Sequence, residues 1–307
     1  MRKGLSWLAG VAVALSLWGA ADAARGQVDI RWTFDHQRVV LFGPMDAHLK
    51  ISNFTGAGLS LGPRGNAELS FHVDDTQGGA VHSNGRPLVR YPVAIPNGAS
   101  AEVTVDLSDA YHIVRGQSYM VSPVLEVAGE RFGGARLALE VQPGLEVGRL
   151  ETGLARFGND REATLRMIHR DREDVVFFRL DAPSAGQCLG VYELGPIIRF
   201  FKPRVELDAA GHFHVLHQSA PDRFVHSVFG GSGAPVSKTL YTARAGGIRL
   251  VRDDDGVVDV EGGTPFEADP ELPGKLTAPA LPPSVPYQTL GDEDEEEILR
   301  TRGAGSR

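Results

Sequence analysis

Alternation of apolar and polar positions marks the first half of the chain. Val28-Asp29-Ile30-Arg31-Trp32-Thr33-Phe34 and Ala47-His48-Leu49-Lys50-Ile51 repeat with period two, the spacing of half-buried strands. Arg38–Phe42, Ala67–Val73, Leu88–Ile95, Ala101–Leu107, Ser118–Val127 and Ala135–Val141 also read as strands. Pro44, Gly62-Pro63, Gly78-Gly79, Pro96-Asn97-Gly98 and Gly133-Gly134 punctuate them. About eight strands with no helical period predict a two-sheet β-sandwich over residues 27–143.

The second half carries a repeat. Leu165-Arg166-Met167-Ile168-His169-Arg170 matches Phe213-His214-Val215-Leu216-His217-Gln218 at an offset of 48 residues, Asp174 falls on Asp222, and Tyr192 on Tyr241 at 49. A turn at Asp208-Ala209-Ala210-Gly211 recurs as Asp253-Asp254-Asp255-Gly256 after 45 residues. A fixed period of this size marks a repeated supersecondary unit. Residues 145–265 are therefore expected to form a β-meander repeat domain, either an open sandwich or a partial propeller completed by oligomerisation. The expected fold class is all-β throughout.

Both halves have family likenesses. The run Ile95-Pro96-Asn97-Gly98-Ala99-Ser100, then Val103–Leu107, Tyr111 and Arg115-Gly116-Gln117-Ser118-Tyr119 resembles an immunoglobulin-like domain of secreted bacterial proteins. The resemblance implies a sandwich in which Tyr111 or Tyr119 ties its hydroxyl to a backbone group. The spacing Asp208, Gly211, His214, Val215 is similar to strand openings in some bacterial β-propeller blades. Both likenesses are architectural and carry no activity.

The termini change the picture of where the protein works. Arg2 and Lys3 precede an apolar run from Leu5 to Ala21, and Ala21-Asp22-Ala23 ends it with small residues. That is the pattern of a secretory signal peptide over residues 1–23, predicting a mature start near Ala24 and no membrane anchor afterwards. Residues 266–307 hold six prolines, nine acids and four bases, with Asp292–Glu297 wholly acidic, and predict a disordered tail. Cys188 is the single cysteine, so disulfides do not stabilise the chain. A formal charge of −8 with no basic stripe argues against nucleic acid as a partner.

Candidate chemistry is sparse. Gly186-Gln187-Cys188-Leu189-Gly190 has the spacing of a nucleophile elbow, but Val191-Tyr192-Glu193-Leu194-Gly195-Pro196 is no helix. Gly230-Gly231-Ser232-Gly233-Ala234 is a weaker match and reads as a hairpin loop. His212, His214, His217 and His226 form the local histidine cluster. On a strand His212 and His214 share one face and His217 the other, so convergence needs His226 from across the sheet. Asp253–Asp255, Gly256 and Asp259 hint at a calcium loop, but Gly262 stands where its glutamate belongs. Asn53-Phe54-Thr55 is a formal glycosylation sequon.

The sequence thus nominates no catalytic residue, cofactor-binding residue or metal ligand, and no cofactor. It points to a non-catalytic exported β-protein, a binding or structural module for a protein or glycan partner. The alternative is a hydrolase, or its accessory subunit, with a site on the repeat region.

Overall fold

The computed structural model describes residues 28–153, 160–244, 246–266 and 285–286. The expected signal peptide lies outside them, as does nearly all of the expected tail. The molecule is all-β, and among the described residues no helix is long and apolar enough to cross a membrane.

The first sandwich is built from β1 (Val28–Phe34), β2 (Arg38–Val40), β3 (Asp46–Asn53), β4 (Leu59–Leu61), β5 (Ala67–Asp75), β6 (Val93–Ile95), β7 (Ser100–Asp106), β8 (Ser118–Val127), β9 (Glu130–Gly133) and β10 (Leu137–Gln142). One sheet has the order β1-β3-β7, the other β2-β10-β8-β5 with β9 added to β8, and β4 pairs β6. All pairings are antiparallel except β2 with β10, which is parallel. The chain changes sheets at the Asp35–Gln37 bend, so β1 and β2 lie in different layers. Alternation becomes burial: Leu49, Ile51, Val121, Leu125 and Leu139 face a common core, where Trp32 meets Phe34 and Phe71 edge-on.

Two short strands, β4 and β9, escape the sequence pattern because three or four residues are too few to show a period. Conversely, the expected strand Leu88–Ile95 shrinks to Val93–Ile95. Pro87 and Pro92 have no N–H to donate, so the ladder begins only after the second of them.

The second sandwich contains two meanders. The first comprises β11 (Leu145–Thr152), β12 (Arg161–Arg170), β13 (Glu173–Ala182) and β14 (Gln187–Pro196); the second comprises β15 (Arg204–Leu207), β16 (Phe213–Ala220), β17 (Arg223–Phe229) and β18 (Pro235–Thr242). Each sheet is in sequence order. β21 (Thr264–Phe266) extends the second sheet beside β18, and β22 (Val285–Pro286) pairs with Gln187 and Cys188 of β14. The sheets pack face to face, with Phe178 stacked on Phe229 at 4.2 Å between ring centroids.

The offset of 48 is real on β12 and β16, where Leu165 and Phe213 both face this core. It fails further on. Register shifts within β13–β14, β16–β17 and β17–β18 differ between the copies, and a one-residue slip moves a side chain to the other face. Tyr192 therefore joins the inter-sheet core, whereas Tyr241 packs on the outer side.

The offset of 45 is a repeat of turn chemistry, not of a whole meander. Asp208–Gly211 joins β15 to β16, and Asp253–Gly256 joins the hairpin β19 (Arg249–Arg252) to β20 (Val258–Glu261). In each turn the Asp carboxylate accepts a backbone N–H four residues on, from His212 at 2.7 Å and from Val257 at 2.8 Å. Each ends on a glycine at positive φ, 85° at Gly211 and 78° at Gly256, where a side chain would be strained. The turns touch one another through Ala209 N–H donating to the Gly256 carbonyl at 2.9 Å. This hairpin covers the outer face of the second sheet, its Ile248, Leu250 and Val258 meeting Leu216 and Phe224.

The outer face of the first sheet is covered differently. Val40 of β2, with Phe42, packs on Ile168, Val175, Phe177, Cys188 and Val191. Arg38 donates to the His169 carbonyl at 2.7 Å, and the His36 ring meets the Asp171 carboxylate at 2.9 Å. The sandwiches are joined through a small apolar core with a polar margin.

Candidate functional site

Three of the four histidines singled out by the sequence come together, on the outer face of the second sheet. The β15–β16 turn places the Asp208 carboxylate so that Oδ2 lies 3.1 Å from both His212 Nδ1 and His214 Nε2. His214 Nδ1 is in turn 3.1 Å from His226 Nε2 on β17, with the rings stacked 5.2 Å apart. His214 and His226 are each 7% exposed. Burial, then the neighbouring His214, pushes His226 down to about 4, with Asp259 opposing. Burial works to raise the Asp208 carboxyl, but hydrogen bonds from the His212 backbone and from the His214 and His212 rings outweigh it and hold it at about 2.

His217 goes through the sheet to the other face, as strand geometry requires. It is fully buried and neither ring nitrogen makes a hydrogen bond of normal geometry, although the Pro196 carbonyl is close. Burial, then the Lys238 charge, pushes it down to about 3. Asp208, His214 and His226 form a carboxylate–imidazole–imidazole relay. Among the described residues no hydroxyl or thiol joins it: Ser227, next to His226, is buried on the opposite face without a partner. Nor do the described residues hold a group of three or more His, Cys, Asp or Glu arranged to take a metal ion.

The other candidates resolve into local structure. Cys188 is the second residue of strand β14, reached through Gly186 at φ 58°, and no helix follows it. Burial, then the Asp181 carboxylate, pushes its thiol up to about 12, the wrong direction for a nucleophile. Gly230–Ala234 is the hairpin loop between β17 and β18, closed by Gly230 N–H donating to the Ala234 carbonyl at 2.8 Å. Asp253 caps its turn, and Asp259 lies on β20 accepting from Val260 N–H at 2.7 Å. Asn53 is fully buried, its Nδ2 donating to the Ala57 and Ile95 carbonyls at 2.7 and 2.8 Å, so this amide is a turn brace. Of the two candidate tyrosines, Tyr119 donates to the Arg115 carbonyl four residues back at 2.9 Å, while Tyr111 reaches across to β5.

That last contact opens onto a feature the sequence reading missed. β5 is the edge strand of its sheet, and its odd-numbered residues turn their backbone groups away from β8. Phe71 has both groups met by the Tyr111 hydroxyl, N–H donating at 2.6 Å and carbonyl accepting at 2.8 Å. Val73 accepts from Val81 and Asp75 donates to Gly79. For Ala67 and Leu69 no partner on this side is found among the described residues. These two open positions line a cavity of about 620 Å³ bounded by the Gly62–Asn66 loop, the Ser83–Val89 loop and the Ala128-Gly129 turn. Periodicity marks strands but not which strand ends a sheet, so only an expected strand order would have exposed it.

No protein-family model matches the chain, and no curated protein sequence does. Among solved structures, the sporulation control protein Spo0M from Bacillus subtilis aligns over 66% of this chain and 79% of its own, at 8% identity and a TM-score of 0.23. The periplasmic chaperone SfaE aligns over 68% and 97%, at 10% identity and 0.21. A DUF4784 family protein from Bacteroides caccae aligns over 78% and 71%, at 9% identity and 0.19. Likeness at this level carries no argument about function.

Proposed function

We propose that this chain is an exported, non-catalytic β-module of the cell envelope or extracellular space that works by binding a partner. The observation that carries this reading is the open stretch of β5 inside a walled groove, since exposed edges are normally blocked and here the remainder of the same edge is blocked. The leader-like start supports export. We further assign the first sandwich to the immunoglobulin-like type, on its strand order, the parallel β2–β10 pair and the Tyr119 hydroxyl bond. The two meanders resemble propeller blades in strand order, and are here completed by the first sandwich and the hairpin instead of by further blades. The binding reading is preferred to the hydrolase alternative because, among the described residues, no hydroxyl or thiol joins the relay and the Cys188 thiol is buried.

Export and binding are tested together by placing a photo-crosslinking residue at Ser70, in the groove, and at Val257, on the exposed hairpin turn, in the full chain with its leader. The reading expects a discrete adduct outside the cytoplasm from position 70 and none from 257. Absence of any adduct at 70 in folded, exported protein contradicts it.

A further inference from the structure

Glu68 lies between the two open backbone positions, with its side chain on the solvent face of the sheet. Across β8 it stands opposite Glu126, and across β9 Glu126 stands opposite Arg131. The row therefore reads acid, acid, base from the edge inward, and neither carboxylate has an ion-pair partner within 4.0 Å among the described residues. Like charges directly opposite one another on a sheet are destabilising, and an opposite charge in the next strand relieves them. Among the described residues no strand pairs with β5 beyond Glu68. On the facing wall Leu88 and Val89 are apolar, and Arg86 is within electrostatic reach of Asp109.

We infer that the groove takes an extended peptide segment as an added strand on β5, with a Lys or Arg opposite Glu68 flanked by apolar residues opposite Ala67 and Leu69. The backbone groups of Ala67 and Leu69 supply the ladder, and the alternation of side chains supplies the selectivity. The acidic run Asp292–Glu297 of the chain's own tail does not fit, because it would bring acid to acid. A second copy pairing edge to edge about this stretch fails similarly, since it sets Glu68 against its own counterpart. This inference rests on the binding-module reading and names its partner.

The test uses synthetic peptides alternating apolar and lysine residues, a glutamate-for-lysine counterpart, and a copy N-methylated at the pairing amides. Binding to the full chain is followed by fluorescence anisotropy, and amide protection by NMR. The lysine peptide is expected to bind and to protect the Ala67 and Leu69 amides. N-methylation is expected to weaken it about tenfold or more, the glutamate peptide to fail, and Glu68→Lys to weaken binding about tenfold with a reduced salt dependence. Glu68 is exposed, and Glu68→Gln serves as the milder control that keeps the fold. Equal binding of the methylated peptide, or binding without protection of those two amides, overturns the inference. If the Ser70 adduct forms but an oligosaccharide rather than the peptide competes with it, the inference fails while the binding-module reading stands. If neither adduct nor peptide binding is seen, both fail.

Discussion

The two meander sheets of the second sandwich have the same strand order and face the same inner core, yet each buries its outer face against something different. The first sheet lies under Val40 and Phe42 of the neighbouring sandwich, through Ile168, Val175, Phe177, Cys188 and Val191. Its polar outer positions are ion pairs, Arg179 with Asp181 at 2.7 Å and Arg170 with Glu193 at 2.6 Å. The second sheet lies under its own downstream hairpin, through Leu216 and Phe224, and its polar outer positions are the histidines of the relay. Both faces of β12, β13, β16 and β17 are largely buried, yet only β13 carries a continuous apolar run, Val175–Phe178; on the others buried polar residues such as Thr164, Arg170, His214 and Ser227 interrupt it. The copies keep the inner face at Leu165 and Phe213, and diverge at Tyr192 and Tyr241 and on the outer face, where the cover differs.

The largest effect is expected at what the copies share. Phe178 is fully buried between the sheets against both Phe213 and Phe229. Phe178→Ala should cost about 3–5 kcal/mol in urea unfolding, with amide protection falling in both meanders together. Loss confined to one copy would show that the sheets are not one core.

A smaller effect separates the halves by pH. His226 and His217, both on the second sheet, have folded pKa values of about 4 and about 3, below the ordinary 6.5. Between these limits the unfolded chain binds protons that the folded one refuses, so the stability they contribute is present above 6.5 and lost as pH falls. The slope is at most about 1.4 kcal/mol per pH unit for each histidine. Asp208, held at about 2, contributes stability above 3.8 that is lost only as pH falls toward 2. The first sandwich carries the opposite sign. Asp46 is pushed up to about 6 by burial, then by Asp106 and Asp35, so its folded form takes a proton first and is relieved as pH drops from 6 toward 3.8. Amide protection on β16 and β17 should therefore fail at higher pH than the fluorescence of Trp32, the tryptophan of the first sandwich. Trp32 emission changing first would contradict this.

The sequence reveals the strands better than it reveals their neighbours. β1 and β8 keep the ends that alternation predicts, Val28 to Phe34 and Ser118 to Val127, because one face of each is wet. The repeat is legible at Leu165 and Phe213, but the register shifts that move Tyr241 off the position of Tyr192 leave no trace in spacing. For the site, strand parity alone separates His217 from His214 and calls for His226 across the sheet. Asp208 is hidden in its turn motif, and the open edge at Ala67 and Leu69 depends on sheet order, which no local pattern encodes.

The central claim is that the outer face of the first meander is a packing face shared by the two sandwiches, where Cys188 contributes burial and no chemistry. Its thiol is the molecule's own reporter, 6% exposed and pushed up to about 12. Labelling of the native protein near neutral pH should be slow, accelerate several-fold in Val40→Ala, which loosens that cover, and stay unchanged in Leu250→Ala, which loosens the other. Rapid labelling of the unaltered protein, or equal acceleration by both substitutions, would contradict the account.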